Sequence, residues 1–152
     1  MTAHEVSYTL ATVAAPSGSG PVILDPLTSV WSNSEIGGAG ADTLNTGMGA
    51  DSLTGGGGAD HFVIAHVPGG VDDITDFTHG QDVLDVRGLL AGVGYSGADP
   101  LGDHVIILQS DRAGGTNVLL DPDGTGHAKA DLVLHLDHVA PTTLTASDWI
   151  FH

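Results

Sequence analysis

The amino-acid sequence predicts an all-β protein, and three observations support this prediction. A central segment of the 152 residues repeats a nine-residue pattern in which a glycine-rich stretch is followed by aspartate and then by a large apolar residue. Several other segments alternate acidic or polar residues with apolar ones, as strands with one buried face do. Helix signals are almost absent, and glycine, proline and aspartate supply turns between the segments.

Three consecutive nonapeptides run from Gly37 to Val63. Aspartate occupies the sixth position of each unit and a large apolar residue the eighth; the pairs are Asp42 and Leu44, Asp51 and Leu53, and Asp60 and Phe62. The alternative is a flexible glycine-rich linker, but a linker has no reason to repeat both residues at every ninth position. We therefore expect the three apolar side chains to point into a shared core.

One nonapeptide cannot fold alone, because a single buried side chain does not offset backbone ordering at about 1–2 kcal/mol per residue. Stacked units share a core, but stacking brings their aspartates together. A divalent cation between the turns would remove this repulsion and stabilise the stack. Carboxylate and carbonyl oxygens are the hard ligands that Ca²⁺ prefers, so the pattern predicts structural calcium.

The charge balance restricts the partners of the protein. Three basic residues face 19 acidic ones, for a net charge of −16, which argues against direct binding to nucleic acid or to an anionic lipid surface. There is no cysteine, so disulfides, a thiol nucleophile and a cysteine zinc site are impossible. No apolar stretch approaches the roughly 18 residues of a membrane span. The segment Met1–Leu10 does not resemble a signal peptide, since it contains Glu5 and no basic residue.

The segments before the repeats predict short strands at Val6–Val13 and Val22–Leu24, separated by a turn cluster at Pro16–Pro21. Residues 31–36 occupy the place of a degenerate unit, with Asn33 where the repeats have aspartate. We predict that residues 1–33 form an N-terminal cap or a linker from an upstream domain. Residues 34–152 then form the main domain.

After the repeats, Phe62–Ala65 continues the last strand, and Asp72–Phe77 and Gly80–Val86 alternate like strands. Arg87–Leu90 is expected to form a helical turn. Further strands are predicted at His104–Gln109, Thr116–Leu120, Asp131–Asp137 and Trp149–Phe151.

Residues 37–152 resemble the C-terminal RTX (repeats-in-toxin, hemolysin-type calcium-binding) modules of proteins exported by type I secretion. Such modules follow serralysin-type proteases, and the R modules of alginate epimerases are similar. The nonapeptides carry the resemblance, together with the segments Asp72–Asp85, Asp121–Leu134 and Leu144–Phe151.

The resemblance implies a short parallel β-roll that continues into a C-terminal antiparallel β-sheet or sandwich cap. Calcium would be held by carbonyls at the second and fourth positions and by the aspartate at the sixth, which are Gly38, Gly40, Asp42, Gly47, Gly49, Asp51, Gly56, Gly58 and Asp60. Asp42 and Asp60 would share one ion. Asp51 would pair with the Asn33 turn, or with Asp72 or Asp76. Three units make about one and a half coils, and two or three ions are expected.

A second possible metal loop begins at Asp121. Asp121, Asp123 and Gly126 match positions 1, 3 and 6 of an EF-hand-type loop, whereas position 12 is Leu132. A simple turn between two strands is the open alternative.

The sequence contains no recognisable catalytic constellation, because His-Glu-x-x-His and Gly-x-Ser-x-Gly are both absent. Among the nine histidines, His135 and His138 would face opposite sides of a strand and could not easily bind one zinc ion. We therefore interpret the histidines as scattered strand and loop residues. The chain itself is predicted not to be an enzyme.

Together with the resemblance, these features predict a noncatalytic calcium-binding module that folds outside the cell and supports type I secretion through an ABC exporter. The implied location is extracellular or at the surface of a Gram-negative bacterium. Three alternatives stay open. The chain could be a module that binds a glycan or a cell surface, the tail of a secreted protease, lipase or epimerase, or an autonomous small protein with an interface role.

Overall fold

The computed structural model describes residues 12–14, 23–24, 33–65, 67, 69–125 and 130–152. One α-helix, α1, lies within these ranges at Arg87–Gly92, with 3₁₀ turns at Pro141–Thr143 and Ala146–Asp148. The strands in chain order are β1 (Thr12–Ala14), β2 (Ile23–Leu24), β3 (Ser34–Ala39), β4 (Thr43–Thr46), β5 (Ser52–Gly57), β6 (His61–Ile64), β7 (Asp72–Ile74), β8 (Val83–Asp85), β9 (Ile106–Ser110), β10 (Thr116–Leu120), β11 (Asp131–Leu136) and β12 (Trp149–Ile150).

The strands form two sheets whose parallel parts make a β-roll, as predicted. The seven-stranded sheet has the order β1-β3-β5-β7-β11-β10-β9, and the five-stranded sheet has the order β12-β8-β6-β4-β2. From β1 to β8 the chain alternates between the sheets, and every pair of neighbours in this part is parallel. The roll is longer than the one and a half coils that the three nonapeptides make by themselves. Segments on both sides of the nonapeptides also join the stack, so that five parallel strands lie in each sheet.

The core lies between the two sheets and is built from the eighth position of each unit. In the seven-stranded sheet Leu53 pairs with Ile74, and in the five-stranded sheet Phe62 lies between Leu44 and Leu84. All five side chains are fully buried, which confirms the predicted shared core. The degenerate unit at residues 31–36 places the buried side chain of Glu35 at the equivalent position, as the register partner of Leu53.

The C-terminal cap, defined here as β9–β11, is antiparallel and extends the seven-stranded sheet. β10 pairs antiparallel with both β9 and β11, and β11 then joins β7 in parallel. The helical turn predicted at Arg87–Leu90 is a slightly longer helix that buries Leu89 and Leu90. No helix among the described residues is long and apolar enough to cross a membrane. Residues 6–11 of the first predicted strand and the turn cluster at 16–21 lie outside the described ranges.

Candidate metal centre

The turns of the roll direct backbone carbonyls toward the next coil. Gly56 and Gly58, at the second and fourth positions of their unit, have φ values of 98° and 136°, which L side chains rarely adopt. A Cβ atom on either residue would collide with the carbonyl oxygen of Gly38 or Gly40, respectively. The predicted carbonyl ligands of the first unit therefore face the equivalent turn one coil later.

The turn of the second unit follows the pattern less closely. Gly49 has a φ of 135°, like the fourth-position glycines of the other units. Thr46 stands in the first position, is fully buried, and directs its hydroxyl to the carbonyl oxygen of Val63 at 3.4 Å. Gly47 beside it is buried.

Three aspartates form a stack along one edge of the roll, which we name the Asp42 ladder (Asp42, Asp60 and Asp82). The backbone N–H of Asp42 donates to Oδ1 of Asp60 at 2.9 Å, and the N–H of Asp60 donates to Oδ1 of Asp82 at 2.9 Å. All three residues are buried. The structure thus brings together Asp42 and Asp60, which were predicted to share an ion.

An equivalent stack follows the other set of turns, and we name it the Asp51 ladder (Asn33, Asp51 and Asp72). The N–H of Asn33 donates to Oδ1 of Asp51 at 2.7 Å, and the N–H of Asp51 donates to Oδ1 of Asp72 at 2.9 Å. Among the neighbours that the sequence left open for Asp51, both Asn33 and Asp72 therefore contact it.

Asp76 has a different environment from the ladder residues. Its two carboxylate oxygens accept hydrogen bonds from the N–H groups of Gly55 and Gly56, at 2.8 and 2.7 Å. These bonds hold the carboxylate against the start of the third unit. Asp76 therefore lies beside the turn that contains the predicted ligands Gly56 and Gly58, and it holds the backbone of that turn in place.

The ladders concentrate buried negative charge. Burial raises the pKa of Asp72 to about 7, and the neighbouring carboxylate of Asp51 contributes to the rise. Burial also raises the pKa of Asp60 and of Asp82, with further increases from nearby carboxylates, although backbone hydrogen bonds oppose the shifts. Ionised carboxylates are thus costly in both ladders, and a bound cation would remove that cost.

The donor atoms fit a hard divalent cation. Oδ2 of Asp72 is buried and has no hydrogen-bonding partner among the described residues. The ladders and the facing turns offer carboxylate and carbonyl oxygens, without a sulfur atom or an imidazole at the stacked sixth positions. Such an all-oxygen set suits Ca²⁺ better than zinc or copper.

Sequence reasoning missed Asp82 as a candidate ligand, although a signal was present. Asp82-Val83-Leu84 repeats the aspartate-x-apolar pattern of Asp60-His61-Phe62, but at a spacing of 22 residues instead of 18. The preceding Gln81 donates its side-chain amide to the carbonyl oxygen of Gly58, a predicted ligand of the third unit. The irregular coil after the repeats therefore completes the Asp42 ladder.

The loop that starts at Asp121 lies in the C-terminal cap and joins neither ladder. Asp121 is buried, and its N–H donates to the carbonyl oxygen of Val105 at 2.8 Å. Oδ1 of Asp123 accepts from the N–H and the hydroxyl of Thr125, at 3.0 and 2.6 Å. Gly126 lies outside the described residues. The metal-binding role of this loop stays a prediction.

Three histidines within the described ranges pair with aspartates. Nε2 of His61 lies 3.4 Å from Asp85, and Nδ1 of His79 lies 2.9 Å from the buried Asp148 near the C-terminus. Burial alone would raise the pKa of Asp148, but hydrogen bonds from Thr145, Gly80 and His79 lower it. His135 contacts several carboxylates on the outer face of the seven-stranded sheet. Sequence reasoning did not identify these pairings.

Comparison with known proteins supports the fold. No protein-family model matches the chain, and no curated protein matches it. The solution structure of the AlgE6R2 subunit of the Azotobacter vinelandii mannuronan C5-epimerase is similar, with a TM-score of 0.52 and 23% identity over 94% of this chain and 92% of that one. The AlgE6R3 subunit of the same enzyme has a TM-score of 0.48 and 26% identity, over 87% of this chain and 78% of that one. The similarity to AlgE6R2 indicates a shared fold.

Proposed function

We propose that this protein is a noncatalytic calcium-binding β-roll module. The observation that supports this function best is the pair of aspartate ladders buried in a chain that has only three basic residues. Lysine and arginine are too few to neutralise the buried carboxylates. A divalent cation between successive turns supplies the missing positive charge.

We assign the ions to the stacked turns. The Asp42 ladder, with the carbonyl groups of Gly38, Gly40, Gly56 and Gly58, holds calcium along one edge of the roll. The Asp51 ladder, with the turn of Gly47 and Gly49, holds it along the other, and two or three ions are the expected complement. The ions neutralise the carboxylates, and the residues around them contribute packing and hydrogen bonds.

Calcium concentration then acts as the folding switch. In a low-calcium cytosol the aspartates repel one another and the chain stays extended, as passage through a type I exporter requires. Extracellular calcium modules bind at about 10⁻⁴–10⁻³ M, so the sites fill outside the cell. A calcium concentration tenfold above Kd adds roughly 1.4 kcal/mol per site. The proposed location is extracellular or on the surface of a Gram-negative bacterium.

Calorimetry and circular dichroism test the calcium proposal directly. We expect the wild-type chain to become β-rich on addition of millimolar Ca²⁺ and to lose that signal in excess EDTA, while Mg²⁺ has little effect. Asp60→Asn should weaken calcium binding at least tenfold, because Asp60 lies in the middle of the Asp42 ladder. The exposed Asp131→Asn is the matched control and should bind like wild type.

A chain that is equally folded in EDTA and in calcium would contradict the proposal. Export is tested separately, by co-expressing the chain with an ABC exporter and measuring the amount of the protein in the culture medium.

A further inference from the structure

A second group of side chains of the types that bind metals lies on the outer face of the seven-stranded sheet. Its member Asp73 directly follows Asp72 of the Asp51 ladder, but successive strand residues face opposite sides of the sheet. Asp73 on β7 is the register partner of His135 on β11, and Asp137 follows His135 by two residues, on the same side of the chain. Nδ1 of His135 lies 2.8 Å from Oδ1 of Asp73 and 3.5 Å from Oδ1 of Asp137. One ligand atom from each residue lies within 4.8 Å of the other two.

A fourth residue, Asp111, holds the imidazole in place from the opposite side. Oδ2 of Asp111 lies 2.8 Å from Nε2 of His135. Oδ1 of Asp111 accepts the N–H groups of Ala113 and Gly115 at 2.8 and 2.7 Å, which fixes the carboxylate in the turn after β9. A Cβ atom on Gly115 would lie 2.9 Å from Oδ2 of Asp111 and 3.0 Å from Nε2 of His135, so glycine leaves room for this contact.

This arrangement matches a known pattern of metal sites. A histidine that binds a metal through one ring nitrogen usually donates its other N–H to a carboxylate, which selects the tautomer and orients the ring. With Nε2–H donated to Asp111, the lone pair of Nδ1 points toward Asp73 and Asp137.

We propose that Asp73, His135 and Asp137 bind a divalent cation of the zinc class, with Asp111 as the positioning residue for His135. Metal–ligand bonds of about 2.0–2.2 Å at tetrahedral angles separate the donor atoms by roughly 3.3–3.6 Å. The distance from His135 to Asp137 falls within this range and the distance from His135 to Asp73 is shorter, so small side-chain rotations complete the site. One nitrogen and two carboxylate oxygens suit zinc better than calcium, which takes six to eight oxygen ligands.

Charge also favours a cation at this position. Three carboxylates, those of Asp73, Asp111 and Asp137, surround one imidazole. If His135 is protonated the group carries −3 + 1 = −2, and with neutral His135 and a divalent cation it carries −3 + 2 = −1. His135 is 23% exposed and Asp73 is 39% exposed, which leaves access for the ion and for a water molecule as fourth ligand.

A proton competes with the metal for Nδ1 of His135. Burial lowers the pKa of His135, but the hydrogen bonds to Asp111 and Asp73 outweigh burial and raise it. The contact with His135 lowers the pKa of Asp111 to about 2. The alternative to the metal site is therefore an imidazolium ion held between carboxylates, and the experiment must separate the two.

The experiment titrates the full chain with Zn²⁺ at pH 7.5 in saturating Ca²⁺, after circular dichroism has shown that each variant is folded. We expect one saturable site by calorimetry, and zinc-dependent shifts of the His135 ring nitrogens by NMR. His135→Gln should weaken zinc binding more than 100-fold. Asp111→Asn should weaken it about 10–100-fold, as loss of a supporting carboxylate does.

His138→Asn is the matched control, because His138 is exposed, lies three residues from His135, and has a φ of 59° that asparagine tolerates. It should bind zinc like wild type. Zinc binding that survives His135→Gln, or His135 ring signals that zinc leaves unchanged, would overturn the proposal. If His135→Gln does not fold, the NMR titration of the wild type decides. Folding in calcium is measured before zinc is added, so failure of the calcium proposal would be seen separately.

Discussion

The repeat turns of the roll and the strands of the C-terminal cap bury different kinds of groups. Strands β4 and β6 contribute the apolar side chains of Leu44, Phe62 and Ile64, and the turns before them bury Asp42 and Asp60. In the cap, β10 and β11 bury five apolar residues, which are Val118, Leu120, Val133, Leu134 and Leu136. The cap thus buries mainly apolar surface, whereas the roll also buries a row of like charges.

The two regions therefore depend on different stabilising interactions. Apolar burial stabilises the cap at about 25 cal/mol per Å² whatever ions are present. Each added coil of the roll also gains apolar burial, but it places another carboxylate beside those already stacked. If calcium binds as proposed, the stability of the roll depends on bound cations more strongly than that of the cap does.

The largest expected effect is a selective loss of hydrogen-exchange protection on chelation. The amides of Asp42, Asp51 and Asp60 donate to ladder carboxylates and should be the first to lose protection as EDTA lowers free calcium stepwise, because those carboxylates then repel one another. The amide of Asp121, which bonds to Val105 in the cap, should exchange more slowly than these. Mass spectrometry or NMR would measure both sets. Loss of protection in both regions at the same calcium concentration would show that the roll and the cap depend on calcium equally.

A pair of glycine substitutions tests the close approach of the stacked turns. Gly58→Ala should destabilise the calcium-bound protein by about 2–4 kcal/mol, because positive φ costs roughly 1–2 kcal/mol and the new Cβ collides with the carbonyl of Gly40. Gly57→Ala is the control, since its Cβ meets nothing within 4 Å. Urea denaturation in saturating calcium measures both. Similar midpoints for the two variants would show that the turns are not tightly stacked.

The smallest expected effect concerns the buried carboxylate of Asp72. Its folded-state pKa of about 7 exceeds the ordinary 3.8, so without calcium stability should fall as pH rises from about 4 to about 7. Asp72→Asn removes the ionisation, and the shift of about three pKa units corresponds to about 4 kcal/mol at pH 7.5. Burial of the new amide group offsets about 1–3 kcal/mol of this gain, so the calcium-free fold should be stabilised by about 1–3 kcal/mol.

The same variant should weaken calcium binding, since it removes a charged ligand. Circular dichroism in EDTA, with trimethylamine N-oxide added to populate the fold, measures the stability of the calcium-free protein. Calorimetry measures the calcium affinity. The exposed Asp131→Asn is the control. A calcium-free Asp72→Asn variant less stable than wild type at pH 7.5 would show that the ionised carboxylate is not costly.

Local patterns in the sequence predicted much of the fold and of the candidate metal site. Glycine and aspartate at a nine-residue period predicted the turns, and most predicted strands match the observed ones to within one or two residues. The strands predicted at Asp72–Phe77 and Gly80–Val86 are each three residues too long at one end, since β7 ends at Ile74 and β8 begins at Val83. Leu44, Leu53 and Phe62 were identified as core residues, and the resemblance to RTX modules implied that Asp42 and Asp60 share an ion. These features could be predicted because each depends on a short segment and a fixed spacing.

The other contacts depend on tertiary structure and could not be predicted from local patterns. Irregular segments after Val63 change the spacing between coils, so the place of Asp82 in the Asp42 ladder depends on how those loops close. The degenerate unit at residues 31–36 carries Asn33 at the aspartate position and Glu35 at the apolar position. It still joins the stack because β3 pairs with β5. Asp73 and His135 meet across 62 residues because β11 returns from the cap to pair with β7. A repeat period determines what each turn contains, but strand register across the sheet determines which side chains become neighbours, and register depends on the packing of the whole chain.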